Sequence, residues 1–242
     1  MRLDAEVTDH AAACRPVELA LTACEVAAVR LRIAPLALGL LGFGLALTLA
    51  GQVDEGLSHL RRAVESAPDH PGVRALAGRA LVAAGKPADA VTHFARAAEL
   101  DPESAEARLN LGSALGQAGR GREAAVAFSQ AVRLAPRLLA ARVNLGTALG
   151  AIGRWEDAIG QFEAAVKLES NDADLRVRLG VARVNAGRPA DAVAEFEEAI
   201  RLRPGAPETR EQLAQVLRAV GRNAEALAHL ERAAELRRSG GR

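Results

Sequence analysis

Apolar positions recur along this chain at the spacing of helices. Between Ala105 and Leu138 they form two such runs, 105–118 and 122–134, parted by Gly119 and closed by Pro136. Apolar residues three and four apart, a glycine where the run breaks and a proline beyond it predict a helix, a tight turn and a second helix. A shift of 34 residues lays this stretch on 139–172. Gly112 then meets Gly146, Gly119 meets Gly153, Phe128 meets Phe162 and Ala131 meets Ala165.

The same step of 34 residues divides the chain into six units, 37–70, 71–104, 105–138, 139–172, 173–206 and 207–240. Their eighth residues are Gly44, Gly78, Gly112, Gly146, Gly180 and Ala214. The fifteenth is glycine in every unit: Gly51, Gly85, Gly119, Gly153, Gly187 and Gly221. The nineteenth is acidic throughout (Glu55, Asp89, Glu123, Asp157, Asp191 and Glu225), and the twenty-seventh is alanine throughout. A fixed period of this length predicts a helical solenoid, in which each helix pair buries its apolar face against its neighbours. Small residues allow close approach, the fifteenth glycine supplies the turn, and the acidic residue suits the first turn of a helix.

The set Leu111, Gly112, Leu115, Ala124, Phe128, Ala131 and Pro136 resembles the tetratricopeptide repeat family. Two positions depart from that family's pattern: Arg108 stands at the usual Trp and Leu115 at the usual Tyr. The resemblance implies an all-α, right-handed superhelical solenoid of antiparallel helix pairs. It also implies a concave groove lined by first helices, where an extended or helical peptide or a partner protein lies. The inward positions would be the second, fifth, sixth, ninth, twelfth and thirteenth of each unit. From these come the candidate peptide-binding residues Arg79, Leu109, Asn110, Ser113, Gln117, Val143, Asn144, Thr147, Val177, Arg178, Val181, Asn185 and Gln212. Asn110 and Asn144 share one register place, and an asparagine amide donates to and accepts from a peptide unit at once. Bonding to neighbouring helices is the other reading of this pair. The family's carboxylate clamp is not expected, because its places hold Leu41, Leu45, Ala75 and Arg79.

Composition narrows the picture. Net charge is +1, from 31 basic and 30 acidic residues, and both signs occur in every unit. A nucleic-acid channel needs a stripe of one sign, so none is expected. Aromatic residues make up 2% of the chain, so Ala, Leu and Val must build the core. Lysine occurs only at Lys86 and Lys167, which fits a GC-rich, bacterial coding bias. An arginine stands fourth in five units: Arg74, Arg108, Arg142, Arg176 and Arg210. Each can cover apolar surface with its stem where the family often has an aromatic. A row of anion ligands is the alternative.

The segment from Ile33 to Val53 contains no charged residue, with Arg30 and Arg32 before it and Asp54 and Glu55 after. It reads either as the first helix of unit one or as a membrane span. Phe43, Gly44, Leu47 and Gly51 fall in phase with the later units, which favours the helix. Residues 1–36 are Ala-rich and read as a helical cap or a flexible tail. Leu21-Thr22-Ala23-Cys24 resembles a lipoprotein cleavage box, but Asp4, Glu6, Asp9 and Glu18 leave no apolar run ahead of it. The last unit has no closing proline and no solvating helix after it, so self-association through its outer face is open.

Chemistry is not indicated. Cys14 and Cys24 lack the companions of a zinc site. His59, His93 and His229 share the twenty-third place of their units and read as half-buried side chains of the outer layer. No nucleophile–base grouping or phosphate loop stands out. The expectation is a non-enzymatic, cytoplasmic interaction scaffold with no cofactor and no metal. The alternative is a membrane-tethered accessory subunit anchored through 33–53, with its repeats outside the cytoplasm.

Overall fold

The structure, a computed structural model, describes residues 35–240. Residues 1–34 of the N-terminal cap or tail, both cysteines, the cleavage-box resemblance and the first two residues of the uncharged segment lie outside the described residues, while Pro35 and Leu36 belong to the first helix. Among those described, all regular structure is helical. Two compact units divide the chain at Leu134 and Ala135. The first holds α1 (Pro35–Leu49), α2 (Val53–Ser66), α3 (Pro71–Ala83), α4 (Pro87–Leu100), α5 (Ala105–Gln117) and α6 (Gly121–Leu134). The second holds α7 (Leu139–Ala151), α8 (Trp155–Leu168), α9 (Ala173–Asn185), α10 (Pro189–Leu202), α11 (Pro207–Ala219) and α12 (Asn223–Gly240).

Each helix begins and ends for local reasons. Pro71, Pro87, Pro189 and Pro207 open four helices at the position where a missing N–H costs nothing. The Ser104 hydroxyl accepts from the Ala107 N–H at 3.1 Å, and the Asp172 carboxylate accepts from Asp174 N–H at 2.8 Å. Every first helix stops at its turn glycine, whose φ lies between +72° and +86°. There the glycine N–H donates three residues back and the next N–H five residues back, as in Gly85 to Val82 (3.0 Å) and Lys86 to Leu81 (2.8 Å). This double bond pattern satisfies the last carbonyls and needs a left-handed residue, so the glycine is required by the turn.

Packing follows the register. Consecutive helices pair in both compact units, and within each compact unit a first helix also packs against the second helix before it. Each pair closes on its eighth and twenty-fourth residues, Gly78 under Phe94, Gly112 under Phe128, Gly146 under Phe162 and Gly180 under Phe196. The ring fills the volume that a side chain on the facing helix would need. In the first pair Gly44 faces Leu60, and α1 and α2 also meet at Gly44 and Gly56. In the last pair the two places hold Ala214 and Leu230, in contact with one core cluster.

The uncharged segment resolves into a helix of 15 residues, because the Gly51 turn ends it. Ala37, Leu41 and Ala46 of α1 are buried, and the Thr48 hydroxyl donates to the Gly44 carbonyl at 2.8 Å. Among the described residues no helix is long and apolar enough to cross a membrane.

Candidate functional site

The first compact unit contains a groove of about 330 Å³ between α3 and α5, lined also by the C-terminal end of α4. Its walls carry Ala75, Leu76 and Arg79 from α3, and Glu106, Ala107 and Asn110 from α5. Ala97 and Asp101 complete the lining. Arg79 is exposed and Asn110 half-buried, so a positive head and a free-standing amide flank a small apolar strip. The groove therefore joins two of the candidate residues, one from each of two successive units. Leu109, Ser113 and Gln117 lie outside its lining. The Ser113 hydroxyl donates to the carbonyl of Leu109 on its own helix, at 3.0 Å.

In the second compact unit Val143, Asn144, Val177, Val181 and Gln212 are half-buried, and Thr147, Arg178 and Asn185 are exposed. Val177 and Val181 pack against the α10–α11 core cluster, so they serve the core as well as the surface. Thr147 and Asn185 are turned back on their own helices, donating to the carbonyls of Val143 (2.9 Å) and Val181 (2.8 Å). What remains outward-facing there is mainly Asn144, Arg178 and the exposed edges of the valines.

Four of the five fourth-place arginines are held by bonds within the chain. Arg74, Arg142 and Arg210 donate to the carbonyls of Pro68 (2.8 Å), Pro136 (2.7 Å) and Pro204 (3.1 Å), each six residues back. Arg176 has Ser170 at that distance and turns instead to Glu195, at 2.9 Å. Glu195 is buried and accepts a second bond from Arg183 at 3.0 Å, and Arg183 also reaches Glu163 at 3.0 Å. This charged hub was not anticipated from sequence. Its signal is a pairing nineteen residues apart: Arg142 with Gln161 and Arg176 with Glu195 are hydrogen-bonded, while Arg74 acts on His93 and Arg210 on His229 through their charge. Burial first, and the neighbouring arginine second, hold His93 and His229 below the ordinary imidazole range.

No group of three or more His, Cys, Asp or Glu able to hold a metal occurs among the described residues.

Two family models described as tetratricopeptide repeat match the sequence, one over 75–138 and 143–207, the other over 47–92 and 183–239. The chain belongs to the tetratricopeptide repeat family. Solved structures with the same fold include MamA 41-end from Desulfovibrio magneticus RS-1, at 21% identity and TM-score 0.66, covering 70% of this chain and 96% of that one. A crystal structure of MamA matches at 22% identity and TM-score 0.65, covering 68% and 96%. YrrB, described as a TPR protein with an unusual peptide-binding site, matches at 21% identity and TM-score 0.64, covering 73% and 91%. Among curated protein sequences none matches this chain. Tetratricopeptide repeats are a protein-interaction scaffold, typically without catalysis, and their partners are proteins or peptides.

Proposed function

We propose that this tetratricopeptide repeat protein holds an extended peptide segment of a partner protein on its first-helix surface, with the α3–α5 groove as one contact site. The observation that carries the reading is the meeting of Arg79 and Asn110 across a strip of Ala75, Leu76 and Ala107. The groove takes a chain with small apolar side chains, the Asn110 amide bonds a backbone peptide unit in both directions, and Arg79 takes a carbonyl or carboxylate beside it. Asn144 repeats the amide in the second compact unit, where the edges of Val177 and Val181 offer apolar contact. YrrB, a peptide-binding protein of the same fold, supports a peptide as the class of ligand. No step of this reading calls for a cofactor, a metal or a catalytic group.

The test uses peptides selected against the purified chain. Replacing Asn110 and Asn144 with Ala should weaken unrelated peptides alike, by about tenfold together, as expected from the loss of two amide hydrogen-bonding groups. Arg79→Ala should weaken them further, and the melting temperature should not move. Unchanged affinity with a lowered melting temperature would overturn the reading and make the asparagines structural.

A further inference from the structure

The N-terminal face of α1 differs from the same face of the other first helices. The seventh place is buried at Ala77, Leu145, Leu179 and Leu213 and half-buried at Leu111, yet Phe43 at that place is 50% exposed. The third place is buried at Val73, Ala107 and Leu175, while in α1 it holds exposed Gly39, where an added Cβ would meet nothing within 4 Å. The cover elsewhere is a preceding second helix: Leu213 shares one core cluster with Val193, Phe196 and Ile200 of α10. His59 stands nearly perpendicular to Phe43, with ring centroids 4.9 Å apart, and half of Phe43 stays exposed.

The chain ahead of α1 carries the sequence of such a cover. Ala28-Val29-Arg30-Leu31 is identical to Ala131-Val132-Arg133-Leu134, the end of α6, and parallels Ala199-Ile200-Arg201-Leu202, the end of α10. Val29 stands where Ile200 stands. Pro35 follows Leu31 after four positions, and Pro207 follows Leu202 after five, so the connection lengths agree to one residue.

We propose that residues 17–32 of the same chain dock on the Phe43 face of α1 as the second helix of a preceding, degenerate unit, with Val29 against Phe43. The occupant is intramolecular because it enters α1 directly and brings the register with it. Solenoid ends need such a covering because their stacking face is apolar.

Cross-linking in the full-length chain tests this, with Cys14 and Cys24 replaced by Ser. Val29→Cys with Phe43→Cys should lose both free thiols on oxidation and stay a monomer, since a disulfide needs Cα atoms within about 7 Å. Val29→Cys with Val126→Cys, an exposed site on α6, should keep its thiols. In the otherwise unaltered chain, Phe43→Ser should lower the melting temperature by roughly 3 °C or more, as removal of a buried ring does. A disulfide found only in covalent dimers would overturn the proposal in favour of a second copy. No disulfide, or equal oxidation of the control pair, would also overturn it. Flotation with phosphatidylglycerol vesicles would then assign the face to lipid.

Discussion

Gly146 lies beneath the ring of Phe162 so closely that a Cβ on it would stand 2.8 Å from both Cε1 and Cζ. The ring is buried and held between α7 and α8, so it cannot swing aside. Gly146→Ala gains roughly 1 kcal/mol of helix propensity but crowds the core at about 1–3 kcal/mol, and a net loss of stability is expected. Gly160, on the exposed side of α8 with nothing within 4 Å, should respond with the opposite sign. Gly160→Ala should stabilise by about 0.5–1 kcal/mol. Urea titrations of the two variants read both signs. The last pair, with Ala214 and Leu230 in these places, indicates the remedy: Phe162→Leu should restore much of what Gly146→Ala loses, a coupling that a double-mutant cycle measures.

The turn glycines fail differently. Gly119 has φ +77°, with open space where a Cβ would stand. Gly119→Val should therefore cost on the order of 1 kcal/mol or more through backbone strain alone, with no clash to relieve. An unchanged thermal midpoint would contradict it.

Glu195 holds two arginines whose side chains are 22% and 16% exposed. Glu195→Ala should cost about 3 kcal/mol, because it leaves the Arg176 guanidinium half-buried without a carboxylate and Arg183 with Glu163 as its one remaining carboxylate. Glu123→Ala, which breaks a solvent-exposed pair with Arg120, should move the midpoint little. Equal effects in denaturant melts would show that burial does not set the worth of these pairs.

Stability should also depend on the protonation of His93 and His229. Burial and then Arg74 lower the pKa of His93, against Asp89; burial and then Arg210 lower that of His229, with Glu197 and Glu225 opposing and Arg222 adding. Since the folded values are depressed, the unfolded chain takes up the proton first. The contribution is intact above the ordinary imidazole value of about 6.5 and is lost as pH falls through it toward the folded values. Melting temperatures followed across that range should drop less in the His93→Gln, His229→Gln double variant.

Much of this fold was legible because its determinants are local and periodic. A glycine at every fifteenth place fixes a turn wherever it occurs, and the Gly–Phe pairs fix which faces meet. The groove was legible in part. Arg79 and Asn110 come from counting along first helices, but Ala97 near the end of a second helix and Asp101 just after it, which also line it, are passed over by such counting. The Glu195 hub was missed because its register place changes chemistry from unit to unit, through His93, Ala127, Gln161, Glu195 and His229. A contact nineteen residues apart shows as a pattern only after the antiparallel pairing is known.

The arginines that reach back to Pro68, Pro136 and Pro204 make the two kinds of loop unequal as places to splice in foreign sequence. A glycine turn is held by the carbonyls of the helix it ends, so a tag or epitope grafted just after Gly85 or Gly187 severs bonds belonging to one helix pair. A proline loop is gripped by the helix that follows, across a fixed reach of six residues. A graft there detaches the guanidinium and loosens the entry of the next pair. Recombination that adds or deletes whole periods avoids both losses when its joint falls before the proline, because loop and arginine then travel together.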